Sequence, residues 1–131
     1  MPAEKVIKIA LVVLGVITMT PVLALVTPVA LEYYGLTQLT PMEAALLRHR
    51  GVLQLVLGAA VVWAAFAPWA RVPVALAAIT TKSTNLVLTL TDPVTRSDAP
   101  LFSTVFDTLA VVLLAGLVVL GLRGSTRRAA A

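Results

Sequence analysis

From Gly51 to Ala67 the chain carries a single polar side chain, Gln54, and a run of that kind leaves few folds open. A helix that is apolar on every side belongs inside a large core or across a membrane. The start of this one is written into the residues before it. Thr40, Pro41 and Glu43 form a T-x-x-E capping box with proline at the first helical position, where its missing N–H is harmless. Pro68 ends the helix, because a proline removes a backbone donor and clashes with the preceding turn. The span predicted over 41–67 carries Arg48, His49 and Arg50 inside its first three turns.

The rest of the chain repeats the pattern. With 60% hydrophobic and 12% charged residues in 131, it lies far from the soluble average of roughly a quarter charged. Several long apolar runs in so short a chain mean an integral membrane protein. Met1 to Lys8 is a short basic head ahead of an apolar run from Ile9 to about Val26. Val22-Leu23-Ala24 has the look of a weak cleavage site, but the run exceeds the roughly 7–15 apolar residues of a signal peptide. A retained first helix over 6–27 is expected. Thr18, Thr20 and Pro21 interrupt it, and the carbonyl freed by Pro21 needs a partner such as a neighbouring threonine.

The segment 28–40, with Tyr33 and Tyr34, reads as an interfacial loop with its aromatic rings at headgroup level. Pro68 to Arg71 reads as a tight turn, and a third helix follows over 72–91, with Pro73 in its first turn. This helix is polar for a span. Asp92-Pro93 stops it, and 92–99 reads as a solvated loop. A fourth helix is predicted over 100–123, followed by Arg127 and Arg128.

The fold class that results is all-α: a polytopic membrane protein, a four-transmembrane-helix bundle in a single domain over 1–131. Lys5, Lys8, Arg71, Arg123, Arg127 and Arg128 fall at span ends on one side, and Arg48, Arg50 and Arg96 on the other. The positive-inside rule then puts both termini in the cytoplasm. The basic residues are orientation signals rather than a nucleic-acid surface. In the absence of cysteine, disulfides, thiolate metal sites and cysteine nucleophiles are excluded. His49 is the only histidine, so neither a zinc site nor bis-histidine haem can be assembled. No cofactor is called for.

Polar residues inside the spans are the candidates for function. Counting about 1.5 Å per residue from each cytoplasmic end puts Arg50 at ~25 Å, Asp107 at ~24 Å, Asn85 at ~21 Å and Lys82 at ~16 Å. Residues three or four apart share a helix side, which groups Arg50 with Gln54, Lys82 with Asn85 and Thr89, and Ser103 with Asp107. A charge facing hydrocarbon costs roughly 2.5–3.5 kcal/mol, so Asp107 is expected to pair with Arg50 or Lys82. Arg50, Gln54, Lys82, Asn85, Ser103 and Asp107 are thus the predicted polar cluster. It serves either to hold the helices in register or to line a cavity in the outer half. Ser83 is adjacent to Lys82 but on another helix face, and Ser103 with Asp107 lacks a general base. Gly51, Gly58, Ala60 and Ala64 give the second helix a small-residue surface for internal packing or for a dimer.

The motif Leu47-Arg48-His49-Arg50-Gly51, with Leu57-Gly58 after it and Asp107 in the last helix, resembles the small four-helix membrane proteins of the DoxX-like group. That resemblance implies a left-handed four-helix bundle, with some relatives serving as membrane subunits of quinone-linked or stress-related redox assemblies. Three function classes remain. The first is an accessory membrane protein that binds a small apolar or amphipathic ligand, or a partner membrane subunit, with a homo-oligomer or a larger membrane complex left open. The second is a transporter similar to the small multidrug-resistance proteins, although the carboxylate those proteins carry within helix one is missing between Ile9 and Val26. The third is an intramembrane isomerase using Asp107 and Lys82 as acid and base.

Overall fold

The computed structural model describes residues 2–25 and 38–131. Among them every regular element is helical: α1 (Pro2–Met19), a 3₁₀ segment (Thr20–Leu25), α2 (Pro41–Phe66), a 3₁₀ turn (Pro68–Ala70), α3 (Arg71–Thr91), α4 (Pro93–Asp98) and α5 (Leu101–Ala130). Four stretches, Pro2–Leu23, Pro41–Phe66, Pro68–Thr91 and Leu101–Ala130, are long and apolar enough to cross a membrane. The loop expected over 28–40, with Tyr33 and Tyr34, lies outside the described residues except for its last three positions. The chain divides into two compact units, Met1–Trp63 and Ala64–Ala131.

In the first unit, Pro21 does what its chemistry requires. It has no N–H for the carbonyl of Ile17, one turn back, and the Thr20 hydroxyl donates to that oxygen at 2.8 Å instead. The α-helix accordingly ends at Met19 and tightens into the 3₁₀ segment, rather than continuing as regular helix past Pro21. The capping box at the head of α2 is formed. The Thr40 N–H donates to Glu43 Oε2 at 2.7 Å, and the Glu43 N–H donates to Thr40 Oγ1 at 3.3 Å.

α1 and α2 meet backbone to backbone at two glycines. A Cβ built on Gly15 would lie 2.6 Å from the carbonyl oxygen of Gly58, and one built on Gly58 would lie 2.5 Å from that of Gly15. No side chain fits between the helices there. Gly51 sits in the same way over the Pro21 carbonyl, where a Cβ would come within 2.8 Å. Small residues permit this close approach, in which the helices gain dispersion contacts along their backbones. Two members of the small-residue surface of α2, Gly51 and Gly58, are therefore used for packing inside the unit.

The second unit begins at the last residues of α2. The turn after them is a 3₁₀ helix, and Arg71 reaches back across it. Its Nε donates to the Ala64 carbonyl at 3.2 Å and its Nη2 to the Ala65 carbonyl at 3.0 Å, occupying acceptors that the end of a helix leaves open. Ala64, Ala67 and Ala70 are buried beside Val74 under this corner. Along α3 the hydroxyls of Thr80, Thr81, Thr84 and Thr91 donate to the carbonyls of Leu76, Ala77, Thr80 and Val87. A helix rich in threonine can thus sit in hydrocarbon with its polar groups satisfied within itself.

Two expectations are corrected here. The segment 92–99 is not an irregular loop, because Asp92 caps a short helix by accepting from the Val94 and Thr95 N–H groups, both at 2.9 Å. These bonds, the Thr95 N–H first, hold the Asp92 carboxyl below its ordinary range. A negative charge at a helix start is favoured by the four unpaired N–H groups there. The last helix does not stop at 123 but runs to Ala130. Arginine and alanine are good helix formers, and the Ser125 and Thr126 hydroxyls close on the Gly121 and Leu122 carbonyls.

Candidate functional site: a buried ion pair between α3 and α5

α3 and α5 run antiparallel and close together because the residues between them are small. Ala75 and Ala78 of α3 and Ala110 and Leu114 of α5 are all sealed from solvent. A Cβ on Gly121 would meet Val72 Cγ2 at 2.7 Å, which fixes the register at one end. Counting from that contact at about 1.5 Å per residue, Asn85 stands about 20 Å along α3, Asp107 about 21 Å along α5 and Lys82 about 15 Å. The four-carbon stem of the lysine covers the difference.

At this layer Lys82 Nζ lies 2.8 Å from Asp107 Oδ1, and Asn85 Nδ2 donates to Asp107 Oδ2 at 2.9 Å. Both carboxylate oxygens are thus engaged by α3. The pair is enclosed: Lys82 is 5% exposed and Asp107 8%. The ammonium also stands over the ring of Phe106, 4.7 Å from its centroid. Phe106 in turn stacks on Phe102, with centroids 6.1 Å apart and planes 12° from parallel. An aromatic face carries negative quadrupole density, so this contact stabilises the ammonium where little of it is exposed to bulk solvent. Burying two charges is costly, and their mutual attraction offsets that cost only when the geometry is good and the remaining lone pairs are satisfied. Here the geometry is good and each carboxylate oxygen has a donor.

Of the predicted cluster, the structure brings together Lys82, Asn85 and Asp107, and the partner of Asp107 is Lys82. Ser103 lies half-buried one turn from Asp107 and outside this set of bonds. Arg50 and Gln54 stand on α2 in the first unit, Arg50 exposed and Gln54 half-buried. Phe106 and Phe102 are additions to the expected site residues. Their signal is present in the chain: two aromatics four apart, one of them beside the only acidic residue of an apolar helix. Nothing local indicates that the ring lies under Lys82 and not toward lipid.

Chemically, the site is a charge-balanced pair with donor capacity to spare. An ammonium has three protons; one goes to Asp107, and a carbonyl or hydroxyl oxygen can take another. Scans of family models, of curated proteins and of solved structures find no match to this chain.

Proposed function

We propose that this chain is a small accessory protein of the cell membrane, the inner membrane in a bacterium, with both termini cytoplasmic. It binds a small, mostly apolar molecule with one polar end at the layer of Lys82, Asn85 and Asp107. The observation that carries this reading is the ion pair itself, buried between two helices that are mostly apolar. Ionisable groups within a span are rare and mark sites of function by default. Binding sites between the helices of a bundle are typically apolar, with a few convergent polar groups. The pair is neutral as a whole, which favours an uncharged polar end, a carbonyl or a hydroxyl, over an anion or a cation. The ring of Phe106 supplies an apolar wall beside it.

The orientation rests on the Lys and Arg bias at the span ends. The motif at Leu47 to Gly51, with Leu57-Gly58 and Asp107, supports a place among DoxX-like membrane proteins. A partner membrane subunit is the other occupant the reading admits.

The test is to purify the full chain in mild detergent and identify co-purifying small molecules by mass spectrometry. An amphiphile retained by the parent and lost from the Lys82→Met/Asp107→Asn double variant supports the reading. Removing both charges keeps the seam neutral, so the variant remains folded. Equal retention by both proteins, or no retained molecule in either, overturns ligand binding at this layer.

A further inference from the structure

The seam between α3 and α5 is not the same on the two sides of the ion pair. Toward the Val72 end, Ala78, Ala110, Leu114 and Ala75 are sealed from solvent. Toward α4 two of the half-buried residues, Thr89 and Ser103, carry hydroxyls. Three contacts give the register: Val72 with Gly121, and Lys82 and Asn85 each with Asp107. In an antiparallel pair each step up α3 is a step back along α5. Thr89, four residues beyond Asn85, therefore stands level with Ser103, four residues before Asp107, and both lie on the inward faces of their helices.

Both residues are half-buried. Four other threonines of α3 close on carbonyls of their own helix. Thr89 does not, and neither it nor Ser103 has a hydrogen-bond partner among the described residues. Hydroxyls deprived of a partner are unfavourable in an apolar setting. Two of them facing each other, one turn above a buried carboxylate, are satisfied together if water stands between them. The next residues toward the loop, from Thr91 to Asp98, are exposed.

We propose that the α3–α5 seam holds a dead-end polar track, open at the α4 end and closed at Ala78 and Ala110. Water, and with it the polar end of a ligand, reaches Lys82 and Asp107 along this track. Ser103 and Thr89 are its hydrogen-bonding walls. The ligand part rests on the proposed function above, whereas the water path rests on the seam alone. A neutral molecule enters polar end first, and its apolar part follows beside Phe102, which is exposed on α5.

The chain has no native cysteine, so single cysteines report directly on water access. Ser103→Cys, Thr89→Cys, Ala110→Cys and Ala78→Cys are placed in the full chain in proteoliposomes opened to both sides. Each is then treated with a small hydrophilic methanethiosulfonate, whose reaction requires the thiolate that only solvated positions form. Ser103→Cys and Thr89→Cys should react on the order of tenfold or more faster than the two alanine positions. Equal rates at all four positions, or slow reaction at Ser103→Cys and Thr89→Cys, overturns the track. Ser103→Cys is nearly isosteric and Thr89→Cys reports independently, so a folding defect in one leaves the other decisive. Fast labelling at these two positions, with no amphiphile retained in the mass-spectrometric test, supports the water path and overturns the ligand reading alone.

Discussion

The two units close their helix seams by opposite means. In the first, α1 and α2 touch through Gly15 and Gly58 with no side chain between them. Its described residues include one buried polar atom without a partner, Thr18 Oγ1. In the second, α3 and α5 carry buried alanines and an ion pair in which both carboxylate oxygens are engaged. Lipid chains are as apolar as leucine, so with these helices across a membrane, as proposed, neither seam would draw on a hydrophobic drive between helices. One substitutes close backbone contact, and the other adds a polar clasp whose members depend on each other. A glycine seam should therefore respond to volume, whereas a clasp should respond to charge.

The largest effect is expected from Asp107→Asn. It strands the Lys82 ammonium in a buried place, and breaking one side of such a pair typically costs about 3–5 kcal/mol. A marked fall in the melting temperature in detergent is expected, and adding Lys82→Met should restore part of it. A single variant that melts like the parent would show that the carboxylate is not the anion of a clasp.

Next in size is Gly58→Ala in the first seam. The added methyl has no space against the Gly15 carbonyl or the Met19 side chain, and overpacking of this kind costs roughly 1–3 kcal/mol. Gly116→Ala is the matched control, since a Cβ there meets nothing within 4 Å. It should be neutral or slightly stabilising, because alanine is the better helix former. Equal melting of the two variants would show that the first seam is not closed at Gly58.

The smallest effect concerns Thr18, which is 2% exposed. Thr18→Val keeps the shape and deletes an unpartnered hydroxyl, so it should leave the melting temperature unchanged or raise it by the equivalent of up to about 1 kcal/mol. Destabilisation measured in the same melting assay would mean that the hydroxyl is held by a bound group, and the first seam would then be polar as well.

Much of this architecture is legible in the order of residues. The Thr40–Glu43 box is legible because its bonds are local, three residues apart. The Thr20 hydroxyl on the Ile17 carbonyl follows from what Pro21 lacks. Lys82, Asn85 and Asp107 can be grouped because helical rise and face convert residue number into position. Three features are less legible. α4 depends on Asp92 accepting from two N–H groups, a choice that a polar Pro-containing segment does not reveal. The extension of α5 past Arg123 has no apolar period to announce it. Arg71 reaching back to the Ala64 and Ala65 carbonyls requires knowing how the chain turns at Pro68.

The order of residues alone accounts for the helices of the described residues and for the four stretches long and apolar enough to cross a membrane. Those are properties of single helices, set by composition, period and local caps. Only the tertiary structure decided that Asp107 takes Lys82 and Asn85 as partners, that Phe106 lies under the ammonium, and that Gly15 and Gly58 meet. Each of these depends on the register between two helices. Register is set by the summed contacts of a whole seam, such as Val72 against Gly121, and no single residue in the chain encodes it.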